Sequence, residues 1–117
     1  MFESIFRDLE QALPGMLAVA VVGDDGMEVE SYIRKEVPHE VMSAELNGVL
    51  RNLHRIQLEQ ALGRVEEVVI RTEGQNLLMF SLTGGLFVLL VTESSETTGK
   101  ARYEVGRRAH QLIQILS

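Results

Sequence analysis

Hydrophobic and polar positions divide the chain into eight blocks, read in order from the N-terminus. Phe2, Ile5, Phe6, Leu9 and Leu13 recur at helical spacing, and Pro14-Gly15 stops that first helix. Residues 16–22 contain no polar position, which predicts a strand buried on both faces. Beyond Gly26, alternation of Met27, Val29 and Ser31 with Glu28 and Glu30 predicts a second strand. A long helix follows from about Pro38 to Leu62, with proline in its first turn and Gly63 just past its end. Segments 65–72, 76–83 and 86–92 read as strands. Their short connections, Glu73-Gly74-Gln75 and Gly84-Gly85, imply antiparallel neighbours. Segment 97–116 closes the chain as a helix with Val105, Ala109, Leu112, Ile113 and Leu116 on one face.

The order α-β-β-α-β-β-β-α predicts an α/β sandwich: a five-stranded antiparallel sheet with helices on both faces. Strands 16–22 and 86–92, the most apolar, belong at its centre. The length of 117 residues suits a single domain spanning 1–117.

Between the first two strands, Asp24-Asp25-Gly26 fits a three-residue hairpin loop with Gly26 in the left-handed position. A calcium loop needs oxygen ligands at alternate positions and a distal glutamate, and Met27 and Val29 interrupt that series. The aspartates are expected to make a bend and hold no metal.

Projected at the helical period, Met42, Leu46, Val49, Leu50, Leu53 and Ile56 form one stripe of the long helix, its expected core face. The opposite side is less polar than a solvated face should be: Ala44, Gly48, Arg51, Arg55, Leu58 and Leu62 gather there. Glycine inside a helix costs about 1 kcal/mol relative to alanine. One reading is a tolerated glycine and two scattered surface leucines. The other is a second packing face, where small residues let another helix approach. Strand 65–72 offers an apolar candidate edge beside it through Val68, Val69 and Ile70.

Composition narrows the function. There is no cysteine, which removes zinc–thiolate sites, redox pairs and thiol nucleophiles. A net charge of −6 disfavours nucleic acid and anionic membranes as partners. The run MLAVAVV is too short to span a bilayer, and FESIFRDLEQ carries more acid than base, unlike a secretory signal. A soluble cytoplasmic protein is expected.

Motifs for catalysis fail one by one. HEVMS, from His39, has serine at 43 where a zinc-protease helix needs its second histidine. His54 and His110 stand alone on polar helix flanks. SETTGKA lacks the first glycine and the final Ser/Thr of a phosphate-binding loop. Glu66 and Glu67 alternate across a strand and point apart. No catalytic residue, metal site or cofactor is expected.

LPGMLAVAVVGDDGMEVES, the long second helix, LGRVEEVVIRTEGQNLLMFSLTGGLFVLLVTE and the TTGKAR start of the last helix resemble the Roadblock / dynein light chain domain, a profilin-like sandwich. The resemblance implies a homodimer, or a heterodimer with a homologous chain, in which second helices pack together and third strands pair. It places Ala44, Gly48, Arg51, Arg55, Leu58 and Leu62 at the helix contact and Val68, Val69 and Ile70 at the strand contact. It further implies a regulator or scaffold of a Ras-like small GTPase, in some members a GTPase activator that works by positioning the GTPase's own groups. The competing expectation is a small-molecule sensor on a related sandwich fold, disfavoured by the aliphatic packing of strand 86–92.

Overall fold

Eight elements follow one another in the expected order in the computed structural model, which describes residues 1–117. They are α1 (Phe2–Ala12), β1 (Met16–Val22), β2 (Glu28–Ile33), α2 (His39–Glu59), β3 (Glu67–Arg71), β4 (Gln75–Ser81), β5 (Phe87–Glu93) and α3 (Thr98–Leu116). The strands form one sheet in the order β2-β1-β5-β4-β3, and every neighbouring pair is antiparallel. β5 is the central strand and β1 lies beside it, as their lack of polar positions requires. All seven residues of β1 are buried.

Alternation along the strands divides the core between the two faces. Val88 and Leu90 of β5 join Val19, Val21, Leu78 and Phe80 beneath α1 and α3. Those helices contribute Phe6, Leu9, Ala101, Val105 and Leu112. Phe87, Leu89 and Val91 face the other way, with Ala20, Met79 and Leu46 of α2. A polar tie holds α1 to α3. Arg108, buried on α3, donates to Glu104 at 2.7 Å and reaches Asp8 of α1 at 3.3 Å. The Glu104 carboxyl is held below its ordinary range by the hydrogen bond from Arg108, with smaller help from the charges of Arg108, Arg107 and Lys100 against partial burial.

The β1–β2 connection is the expected bend. Gly26 has φ of +85°, and its N–H donates to Gly23 O at 3.0 Å. Asp25 Oδ1 accepts the Met27 N–H at 3.0 Å, so that carboxylate is spent inside the turn. The turn lies against the β4–β5 connection. At Gly85, φ is +80° and an added Cβ would meet Asp24 Cβ at 2.9 Å, so only glycine fits.

α2 ends earlier than its sequence pattern suggests, at Glu59 instead of Leu62. The Leu62 N–H donates to Gln57 O at 3.1 Å, a closure of the Schellman type that puts Ala61 in the left-handed region at φ 52°. Ala61, and not Gly63, occupies the position where helices usually place glycine. Gly63 is also left-handed, but in the loop beyond.

Candidate functional site

Strand order leaves two edges, and they differ in chemistry. β2 carries Glu28 and Glu30, charges that guard an edge against pairing. β3 carries Val68-Val69-Ile70 in its middle, between Glu67 and Arg71. Its pairing with β4 (Val68↔Met79, Val69↔Leu78, Ile70↔Leu77) sends Val68 and Ile70 to the α2 side and Val69 to the other. Val69 is 37% exposed, whereas Val68 and Ile70 pack against the core on the α2 side.

On α2 the packing face keeps Met42, Leu46 and Leu50 of the expected stripe but is shifted away from the rest of it. The buried residues are Ser43, Leu46 and Asn47, with Leu50 half-buried on the same face. Relative to the apolar stripe, the helix is turned by roughly 60° about its axis. The correction falls on Val49 and Ile56, expected in the core and found 37% and 49% exposed. The turn has a local cause. Ser43 donates to Glu28 Oε2 at 2.8 Å, and His39 Nδ1 lies 2.8 Å from Glu28 Oε1. That contact draws the polar side of the first two helical turns down onto β2. The partial zinc motif therefore has a structural role, with His39 and Ser43 both on one carboxylate.

The six α2-side positions singled out for a helix contact are all exposed: Ala44, Gly48, Arg51, Arg55, Leu58 and Leu62. They do not form one even face. Ala44, Gly48 and Arg55 run along the outer crest, Val49 and Ile56 lie on one flank, and Arg51 and Leu58 lie on the other. Leu62 follows the helix end. Nothing lies within 4 Å of a Cβ added at Gly48, so packing within the chain does not demand glycine there. Sequence reasoning missed Val49 and Ile56 because their seven-residue spacing with Met42 matches a core stripe as well as an outer seam.

No group of three or more His, Asp or Glu residues converges as a metal ion would need. No helix is long and apolar enough to cross a membrane.

No protein-family profile matches the chain, and no curated protein does. Solved structures do. The gliding protein MglB of Thermus thermophilus superposes with a TM-score of 0.85 at 14% identity, over 96% of this chain and 85% of that one. A Roadblock/LC7 domain from Streptomyces avermitilis matches at TM-score 0.78 and 18% identity, over 94% of this chain and 92% of its own. MglC from Myxococcus xanthus is 25% identical, with a TM-score of 0.71 and 97% of each chain covered. The fold is Roadblock-like, with the five-stranded sheet and three helices in the same order.

Proposed function

We propose that this Roadblock-like chain is a regulator or scaffold of a Ras-like small GTPase and acts as a homodimer. The observation that carries the reading is an uncovered apolar seam on α2 in the same subunit as an unguarded β3 edge. Two copies related by a twofold axis bury both features at once, helix on helix and strand beside strand.

Magnitudes favour using both. Val49, Ile56, Leu58 and Leu62 are each 37–69% exposed. Val49 and Leu58 lie on opposite flanks, so a partner helix on the Val49–Ile56 side covers that pair alone, which on two subunits contributes roughly 3–5 kcal/mol by area. Association costs about 4–15 kcal/mol, so the helix seam alone gives at most a marginal dimer. Main-chain pairing along Val68, Val69 and Ile70 supplies the remainder and sets the register. Gly48 and Ala44 let the partner helix approach along the crest, and Arg51 and Arg55 form the polar rim.

The chain contributes no catalytic group of its own in this reading. It presents a surface spanning both subunits to the switch segments of a GTPase, whose order depends on the γ-phosphate. An activator binds the triphosphate state preferentially; a scaffold is less sensitive to nucleotide.

Light scattering at low micromolar concentration tests the assembly and is expected to give twice the 13.1 kDa chain mass. Val49→Asp with Ile56→Asp should return the monomer mass. The functional half is tested by mixing the purified dimer with the Ras-like GTPases of its host, each loaded with GDP or a GTP analogue, and measuring affinity and phosphate release. Absence of binding in either state overturns the GTPase reading, and a clean monomer overturns the dimer.

A further inference from the structure

A recess with a mixed lining opens on the flank of α2 opposite Val49 and Ile56. It holds about 230 Å³ between the helix, the β1–β2 turn and the β4–β5 connection. Arg51, His54 and Asn47 line it from α2, Arg64 from the segment before β3, and Ser81 from the end of β4. Leu50, Val65, Leu82 and Leu86 form its apolar wall.

Its charge is unusual for this molecule. The chain is acidic overall, and Arg7, Arg34, Arg102, Arg107 and Arg108 each pair with a carboxylate. Arg51, Arg55, Arg64 and Arg71 form no ion pair, and of these four only Arg51 and Arg64 share a recess. Arg64 is held in place by donating one Nη1 bond to Leu82 O at 2.7 Å, which leaves Nε and Nη2 unspent. Asp24 is the single carboxylate on the lining, and it pairs with neither arginine. Asn47 also lines the recess; its side-chain amide makes no hydrogen bond within the chain and its polar atoms stay open to solvent there.

We propose that this recess binds a small organic oxyanion, a phosphate or carboxylate carried on an apolar body. The anionic head sits between the Arg51 and Arg64 guanidinium groups, where planar donors suit two oxygens at once. Asn47 donates to the same head or to a polar atom beside it. The apolar body lies against Leu50, Val65, Leu82 and Leu86. The volume exceeds what a bare inorganic ion fills, so affinity depends on both halves of the ligand. The site belongs to one subunit and does not rest on the dimer or on the GTPase.

The test is a titration of the full chain with phenyl phosphate, benzoate, inorganic phosphate and neutral phenol, followed through backbone amide NMR shifts. Saturable shifts at Asn47, His54, Leu82 and Gly85 are expected with phenyl phosphate or benzoate, weaker ones with inorganic phosphate, and none with phenol. Arg51→Gln removes a side chain that makes no hydrogen bond or ion pair within the subunit, although it stands at the rim of the proposed dimer contact, and should weaken binding by about tenfold or more. Arg64→Lys, which keeps charge but not the planar fork, should weaken it less. Arg55→Gln, on the outer crest of the same helix, should leave affinity unchanged. Linear shifts without saturation overturn the site, as does equal weakening by Arg55→Gln and Arg51→Gln. Inorganic phosphate binding as tightly as phenyl phosphate overturns the apolar half of the proposal. Light scattering on Arg51→Gln separates loss of the ligand from any change in assembly.

Discussion

Beneath α1 and α3, fourteen buried residues form one cluster, and both helices dock on it through large apolar side chains. On the α2 side of the sheet the cluster has ten buried residues, and of the three that α2 buries, two are Ser43 and Asn47. α2 docks through Met42, Leu46 and Leu50 together with these two small polar residues, and leaves Val49, Ile56 and Leu58 exposed. The closed face therefore carries stability, and the open face is free to carry recognition.

Breaking the closed face should have the largest effect. Leu90→Ala, fully buried beneath α1 and α3, should cost about 2–5 kcal/mol in denaturant unfolding. Val49→Asp with Ile56→Asp should change unfolding of the isolated subunit by only about 0.5 kcal/mol. Comparable losses in both variants would mean that the faces do not differ.

Gly48→Ala sharpens the contrast within α2. Space is open around that Cβ, so the subunit should gain about 1 kcal/mol from helix propensity. If the crest is the dimer contact, the added methyl should weaken association in the same sample. Dilution experiments with thermal melts separate the two signs.

Ala61→Gly addresses the end of that helix. Relieving alanine of its left-handed conformation should stabilise the subunit by up to about 1 kcal/mol, read as a higher denaturant midpoint at unchanged slope. A loss would mean that the C-terminus of α2 is held differently.

The smallest effect concerns acid. Glu104 has its carboxyl held low by Arg108, so its contribution is fully present above the ordinary value of 4.5. It is lost as pH falls below that value through the depressed one. Glu104→Gln should flatten the stability profile as pH falls below the ordinary carboxylate value of 4.5 and leave the profile near pH 7 parallel to wild type. Unchanged acid dependence would show that the Glu104–Arg108 pair within α3 adds nothing to stability.

Element order, the central place of β1 and β5 and the Asp25-Gly26 bend were legible because each rests on local signals. An unbroken apolar run, a period of two and a glycine after two aspartates need no knowledge of distant residues. The boundary of α2 was less legible, because Gly63 looks like a helix cap and Ala61 does not, yet Ala61 takes the left-handed turn. The facing of α2 was legible only in part: Met42, Leu46 and Leu50 pack on the sheet as the stripe predicts, and Val49 and Ile56 do not. Periodicity reports that apolar residues share a side of a helix, not which side meets its own sheet.

The chain by itself determined the layers, the strands that fill the centre and the absence of thiol chemistry, since these follow from composition and period. Tertiary structure alone decided that Glu28 would draw Ser43 and His39 onto β2. That contact turns Val49 and Ile56 outward on one flank and brings Arg51 and Asn47 toward Arg64 on the other. The reason is physical: a largely buried carboxylate needs partners more urgently than two aliphatic side chains need burial, and its partners lie nearby in sequence but on a different element.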